Sequence, residues 1–138
     1  ITSPSQDGPQ RAMSKALAMA GNIKIDYINA HGTSTSANDA NETAAIKAVF
    51  KDNIPAISST KGQTGHCLGA AGAIEAVIAI MAMDQGIIPP TINQTDRAPE
   101  CDLDYTPNSA RNCELNAVMS NSFGFGGTNG SVIFKRLK

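Results

Sequence analysis

Two histidines stand in the chain, each in a dense polar string: Asn29-Ala-His31-Gly-Thr-Ser-Thr35 and Ser58-Ser-Thr-Lys61-Gly-Gln-Thr-Gly-His66. An imidazole changes charge near neutral pH, or acts as a neutral N–H donor. Two such rings with a lysine between them therefore suit a shared acid/base or electrophilic site. Glu75 belongs with them. It is the only charged side chain between His66 and Asp84 in an otherwise apolar stretch, and a carboxylate in that setting needs a cation or several donors, for which Lys61 is the candidate. A third string, Ser122-Phe-Gly-Phe125-Gly-Gly-Thr-Asn129, puts two large rings on a glycine backbone with exposed N–H groups. That suits a gate and an oxyanion-hole donor. It is no phosphate loop, because the GxxxxGK[ST] pattern does not occur.

The elements that must position these residues follow from the flanking patterns. Asp7 as N-cap with Pro9 in the first turn predicts a helix from Pro9 to Ala20, stopped by Gly21-Asn22. Ile25 to Ala30 reads as a strand, Asn38 to Phe50 as a helix with Ala44, Ala45, Ala48 and Val49 along its inner face, and Ile54 to Ser58 as a second strand. Gly65 opens a long helix to about Asp84, ended by Gly86. Pro89 to Cys113 has little periodicity and reads as an extended surface loop. Ala117 to Ser122 and Gly130 to Lys135 form a hairpin of two further strands. The order β-α-β-α-loop-β-β predicts a layered α/β fold whose mixed sheet has an antiparallel edge. Both histidine strings then follow strands, at the edge where such folds bind ligands.

Each residue also has a plainer reading. His31 could satisfy local backbone groups beside a helix, His66 could pack on a neighbour at a helix start, and Lys61 could be solvated. Glu75 could be buried and purely structural. If His66 starts the long helix, the helix dipole disfavours its imidazolium and favours an electrophilic over a general-acid role.

The bulk composition narrows the classes. The 138 residues suffice for one domain with a real core, and 41% hydrophobic with 17% charged residues reads as globular. Eleven basic against twelve acidic side chains offer no electrostatic reason for nucleic acid or an anionic membrane as partner. Cys67, Cys101 and Cys113 form no CxxC pair, which fits a reduced cytoplasmic setting better than a disulfide framework or zinc site. None looks nucleophilic, and Cys67 is expected as a small buried side chain. The stretch His66 to Met83 is apolar, but it is Gly/Ala-rich and holds Glu75, so a buried core helix is expected rather than a membrane span. The opening Ile1-Thr-Ser-Pro4 reads as though cut from the middle of a longer chain.

The three strings together resemble the C-terminal half of β-ketoacyl-acyl carrier protein synthases, most closely the bacterial elongating type called synthase II. The resemblance runs from Thr2-Ser-Pro4 to the last strand. It implies a thiolase-like layered fold, of which this chain is the C-terminal half without its first strand, and a homodimer when full-length. It implies decarboxylative Claisen condensation in fatty-acid synthesis: an acyl chain on a cysteine is extended by malonyl carried on acyl carrier protein, with no required cofactor. His31 and His66 match the histidines that stabilise the enolate, Lys61 the lysine that organises the site, and Phe125 the gating residue whose N–H serves the oxyanion hole. Thr33, Thr35, Phe123 and Gly126 lie in the same motifs and are the expected substrate-binding positions. Asn29, Glu75, Ser120 and Asn121 match positions around a structural monovalent cation. The nucleophilic cysteine of the family belongs to the N-terminal half, and none of the three cysteines here occupies its motif. A ketosynthase of a polyketide synthase shares all three strings and is the alternative. A non-catalytic partner or structural fragment of a condensing enzyme is the third reading.

Overall fold

The computed structural model describes residues 5–137; the Thr2-Ser-Pro4 string lies outside the described residues. The elements run α1 (Asp7–Met19), β1 (Tyr27–Asn29), α2 (Ser36–Phe50), β2 (Ala56–Ser58), α3 (Lys61–Thr64), α4 (Ala71–Gln85), β3 (Ile87–Ile88), β4 (Arg111–Asn112), β5 (Ala117–Phe123) and β6 (Asn129–Lys135). Short 3₁₀ turns cover Leu68–Ala70 and Phe125–Gly127. Four strands form one sheet in the order β2-β1-β5-β6, with β3 and β4 a small separate pair. β1 runs parallel to both β2 and β5, and β6 closes the sheet antiparallel to β5. The expected mixed sheet with an antiparallel edge is therefore present.

Apolar side chains on the two faces of the sheet recruit different helices. On one face Ile28, Ile57, Ala117 and Met119 pack with Met13 of α1 and Ala45 and Ile46 of α2. On the other, Tyr27 and Val118 pack with Ala79, Ala82 and Met83 of α4. Alternation along each strand produces this split, because successive side chains point to opposite faces.

Several expectations need correcting. Asp7 is not the cap of α1; Gln6 holds that position, without a side-chain bond, and Asp7 lies inside the first turn. The inner face of α2 is rotated from the expected alanine stripe and buries Glu42, Thr43, Ala45 and Ile46. The long helix begins at Ala71 rather than Gly65. Two positive φ angles, +72° at Gly65 and +51° at Leu68, break the path between α3 and α4. At the far end Gly86 takes the left-handed conformation and stops the helix as expected. α4 buries only one face: Val77 is 56% and Met81 51% exposed. The residues Leu68–Gln85 would also suffice, by length and composition alone, to cross a membrane.

The 89–113 segment is irregular but not loosely laid on the surface. Thr106, fully buried, donates its hydroxyl to the Ile57 carbonyl at 2.8 Å, and the Ser59 amide donates to Thr91 Oγ1 at 3.0 Å. These bonds tie the segment along β2 and cover the open edge of the sheet, where unpaired backbone groups would otherwise face solvent.

Candidate active site

Because β1, β2 and β5 are parallel, their C-terminal ends lie at one edge of the sheet. The chain leaves β1 toward β2 on one side and later returns to β5 on the other, so β1 is the switch point of the topology. His31 follows β1, Lys61 follows β2, and Phe123 ends β5. Three strings distant in sequence are thereby delivered to one place. The ring centroids of His31 and His66 are 5.5 Å apart at an interplanar angle of 87°, and Phe123 lies 6.0 Å from His31.

The two imidazoles sit in different surroundings. His31 is buried, and its pKa is pushed down to about 4 by burial first, then by the charge of Lys61 and by His66. It is therefore neutral at physiological pH, with a buried Nδ1 that has no hydrogen-bond partner. His66 is exposed in the link between α3 and the 3₁₀ turn, not at the start of the long helix, so the dipole argument does not apply to it. Its Nδ1 accepts the Leu68 N–H at 3.1 Å. In the neutral ring the proton must then sit on Nε2, which makes that atom a donor.

Lys61 is held from both sides. Its Nζ donates to the His31 carbonyl at 2.5 Å and to Glu75 Oε1 on α4, and both Lys61 and Glu75 are buried. The pairing of these two residues expected from sequence is thus present. The lysine carries its charge under the His31 backbone, and its ammonium is engaged with a carboxylate, which suits organising the loop rather than attacking a substrate.

Glu42 is the site residue that the motif reading passed over. It is buried on α2, and its carboxylate accepts the His31 N–H at 3.0 Å on Oε1 and the Gly32 N–H at 2.9 Å on Oε2. Burial pushes its pKa up, against the pull of those two amides. Glu42 stands three and four residues before Ala45 and Ile46, on the face that packs against the sheet, but the alanine stripe expected from the sequence pointed to a rotated face. Gly32 itself has a φ of +44°, and a Cβ there would lie 2.5 Å from the Ser59 Cβ. Only glycine fits this turn between the two strings.

The remaining expected residues fall around this centre. Thr33 and Thr35 bond to each other at 3.0 Å, and Thr35 also caps α2 by accepting the Asn38 N–H. Both line a cavity of about 650 Å³ between α2 and the 91–105 segment, which also reaches Glu42 and Lys61. Phe125 is 91% exposed at the tip of the glycine turn, and Gly126 beside it has a φ of +74°. Cys67 is exposed, contrary to the expected buried position; its thiol is directed at the carbonyls of Thr64 and Gly65.

Asn29, Ser120 and Glu75 share the layer between the sheet and α4. Asn29 pairs in register with Ser58 on one side and Ser120 on the other. Asn29 Oδ1 and Glu75 Oε2 are buried acceptors with no donor. Asn121 departs from the group: its side chain points to the opposite face, donating to Glu42 and accepting from the Ser131 hydroxyl at 2.8 Å. It can reach the Asn29–Glu75 layer only through its backbone. Among the described residues, no three His, Cys, Asp or Glu side chains converge on a metal.

A mixed α/β sheet carrying two imidazoles, a buried lysine and an aromatic glycine turn at one edge defines a thiolase-like domain of ketosynthase type. The chain belongs to the β-ketoacyl synthase family: its residues 1–95 match the model of that family's C-terminal domain. It is 50% identical over 141 residues to nodulation protein E of Rhizobium meliloti, covering 99% of this chain and 35% of that one. It is 50% identical over 138 residues to 3-oxoacyl-[acyl-carrier-protein] synthase 2 of Coxiella burnetii, covering 97% of this chain and 33% of that one. Among solved structures it is similar to the ketosynthase in a complex of a type II PKS acyl-carrier protein with its ketosynthase. That match has a TM-score of 0.94 and 36% identity, and covers 99% of this chain and 35% of that one. The chain spans about a third of the length of the curated relatives it matches.

Proposed function

We propose that this chain is part of a β-ketoacyl-acyl carrier protein synthase of fatty-acid synthesis, and that it supplies the decarboxylation side of the active site. The observation that carries the reading is the pair of edge-to-face imidazoles, one of them held neutral beside a buried lysine. Malonyl on acyl carrier protein loses its carboxylate as carbon dioxide, and the electron pair of the broken bond moves onto the thioester oxygen as an enolate. Neutral N–H donors already aimed at that oxygen stabilise the developing charge without reorganising. His66 Nε2–H and the His31 ring are those donors; burial first, and the Lys61 charge after it, keep the His31 ring neutral, and Lys61 holds its loop in place. The enolate carbon then attacks an acyl thioester on a cysteine outside this chain, the Phe125 backbone N–H receives the second oxyanion, and collapse of that oxyanion breaks the carbon–sulfur bond and releases the cysteine as its thiolate. Thr33 and Thr35 line the approach of the carrier arm.

The acceptor layer fits a structural monovalent cation held by Asn29 Oδ1 and Glu75 Oε2, with Ser120 in register and Asn121 through its backbone. Its single carboxylate is already half-neutralised by Lys61, too little charge for a divalent ion. When bound, it supplies positive charge to two oxygens that lack donors. The family's remaining sequence, a homodimer and a cytoplasmic setting complete the proposal.

The test uses the full-length protein. His31→Ala, His66→Ala and Lys61→Ala should each lower malonyl decarboxylation by about 10²-fold or more, while acyl transfer to the cysteine survives. Condensation by the 138-residue chain alone, persisting after replacement of all three cysteines, would overturn the reading. A polyketide ketosynthase is the second reading, favoured by the likeness to the type II PKS structure. Preference for β-ketoacyl over saturated acyl primers would decide for it. Retention of both histidines speaks against a dedicated non-catalytic partner.

A further inference from the structure

Tyr27 is fully buried on the α4 side of β1 and takes no part in the chemistry described above. Its hydroxyl lies 2.7 Å from Ser58 Oγ and accepts from Asn29 Nδ2 at 3.1 Å. The second hydrogen of the same amide reaches Thr60 Oγ1 at 3.2 Å. Both N–H bonds of Asn29 are therefore in use, and its oxygen is left at the opposite pole of the amide, buried and without a donor. Nothing in the amide itself fixes this orientation, because an amide can turn over and exchange its oxygen and nitrogen. The Tyr27–Ser58 contact can carry its proton in either direction; with Tyr27 donating to Ser58 Oγ, its lone pairs face Asn29 and match the Nδ2 donor found there.

We propose that Tyr27, braced by Ser58, is a positioning residue that turns the Asn29 oxygen inward and so builds the acceptor side of the monovalent-cation site beneath α4. The proposal rests on the cation reading above. Groups that orient a metal ligand are worth about 10–100-fold in metal affinity.

The experiment follows the thermal midpoint of the full-length protein as KCl or NaCl replaces choline chloride at constant ionic strength. The parent protein should show a saturable rise specific to potassium or sodium. Tyr27→Phe and Ser58→Ala should each move the half-saturating concentration about tenfold higher. Thr106→Val removes a buried hydroxyl bonded to the Ile57 carbonyl and should lower the thermal midpoint without moving the half-saturating concentration. If Tyr27→Phe does not fold, Ser58→Ala decides. An unchanged half-saturating concentration in the variants overturns the role of Tyr27 and leaves the cation standing. Absence of any cation-specific rise in the parent overturns both.

Discussion

At the scale of single residues the site is governed by what burial does to charge. Lys61 and Glu75 are both buried and paired. Removing one partner strands the other, whereas removing both need not destabilise. Lys61→Met should therefore cost about 3–5 kcal/mol in denaturant unfolding. Lys61→Met combined with Glu75→Leu should recover most of that stability without recovering decarboxylation. If the double variant is no more stable than the single, the pair is not the coupled unit described. The pKa of His31, about 4, lies below its ordinary value of 6.5, so between those values the native state binds fewer protons than the unfolded chain. Its contribution to stability is complete above pH 6.5 and is lost as pH falls toward 4. The stability difference between His31→Gln and the parent should change across that window and stay constant above it. A difference independent of pH rejects a neutral buried His31.

At the scale of elements the loops matter through the backbone groups they leave to be satisfied. Glu42→Ala should strand the amides of His31 and Gly32, at about 1–3 kcal/mol for each unsatisfied group, and should lower decarboxylation with the loop that carries His31. Glu42→Gln can accept one amide but presents a donor to the other. Decarboxylation rates and denaturant midpoints should rank parent, Gln, Ala; equal values for all three would mean that the clamp does nothing. Glu42 also marks the limit of what the sequence made legible. The strings with histidine, lysine and glycine announce themselves because polar residues are dense there, and the strand-then-helix order placed them at one sheet edge. Glu42 lies inside a helix whose alanines suggested a face rotated from the real one, so the burial of its carboxylate was invisible until α2 docked. The start of α4 was misplaced for a different reason. Leu68 adopts a left-handed backbone that its residue type does not advertise, and a His66 side chain accepts an amide that a helix would have used. Asn121 was grouped with Asn29 by motif, while strand alternation sends its side chain to the other layer.

At the scale of the whole molecule the domain is finished on one side and open on the other. α1 and α2 cover their face of the sheet with mostly polar surfaces outward, Met19 at the end of α1 excepted. By contrast, α4 and the turn before it show an apolar outer face: Leu68 in the turn is 78% exposed, and on α4 Val77 is 56% and Met81 51% exposed, and Ile80 joins them. A helix that is apolar on both faces belongs between two layers. On the function proposed above, the covering layer is the part of the synthase that lies outside this chain and carries the cysteine. The expectation is then a change of sign between two contexts. In the 138-residue chain expressed alone, Val77→Lys with Met81→Lys should reduce binding of an apolar-surface dye and reduce self-association, because the patch faces water. In the full-length protein the same pair should destabilise by several kcal/mol, since two charges would be carried into an apolar interface. Circular dichroism and denaturant unfolding in both contexts read the result. A double variant that is harmless in the full-length protein would mean that the outer face of α4 stays in solvent, and that the histidines must meet their cysteine by another arrangement.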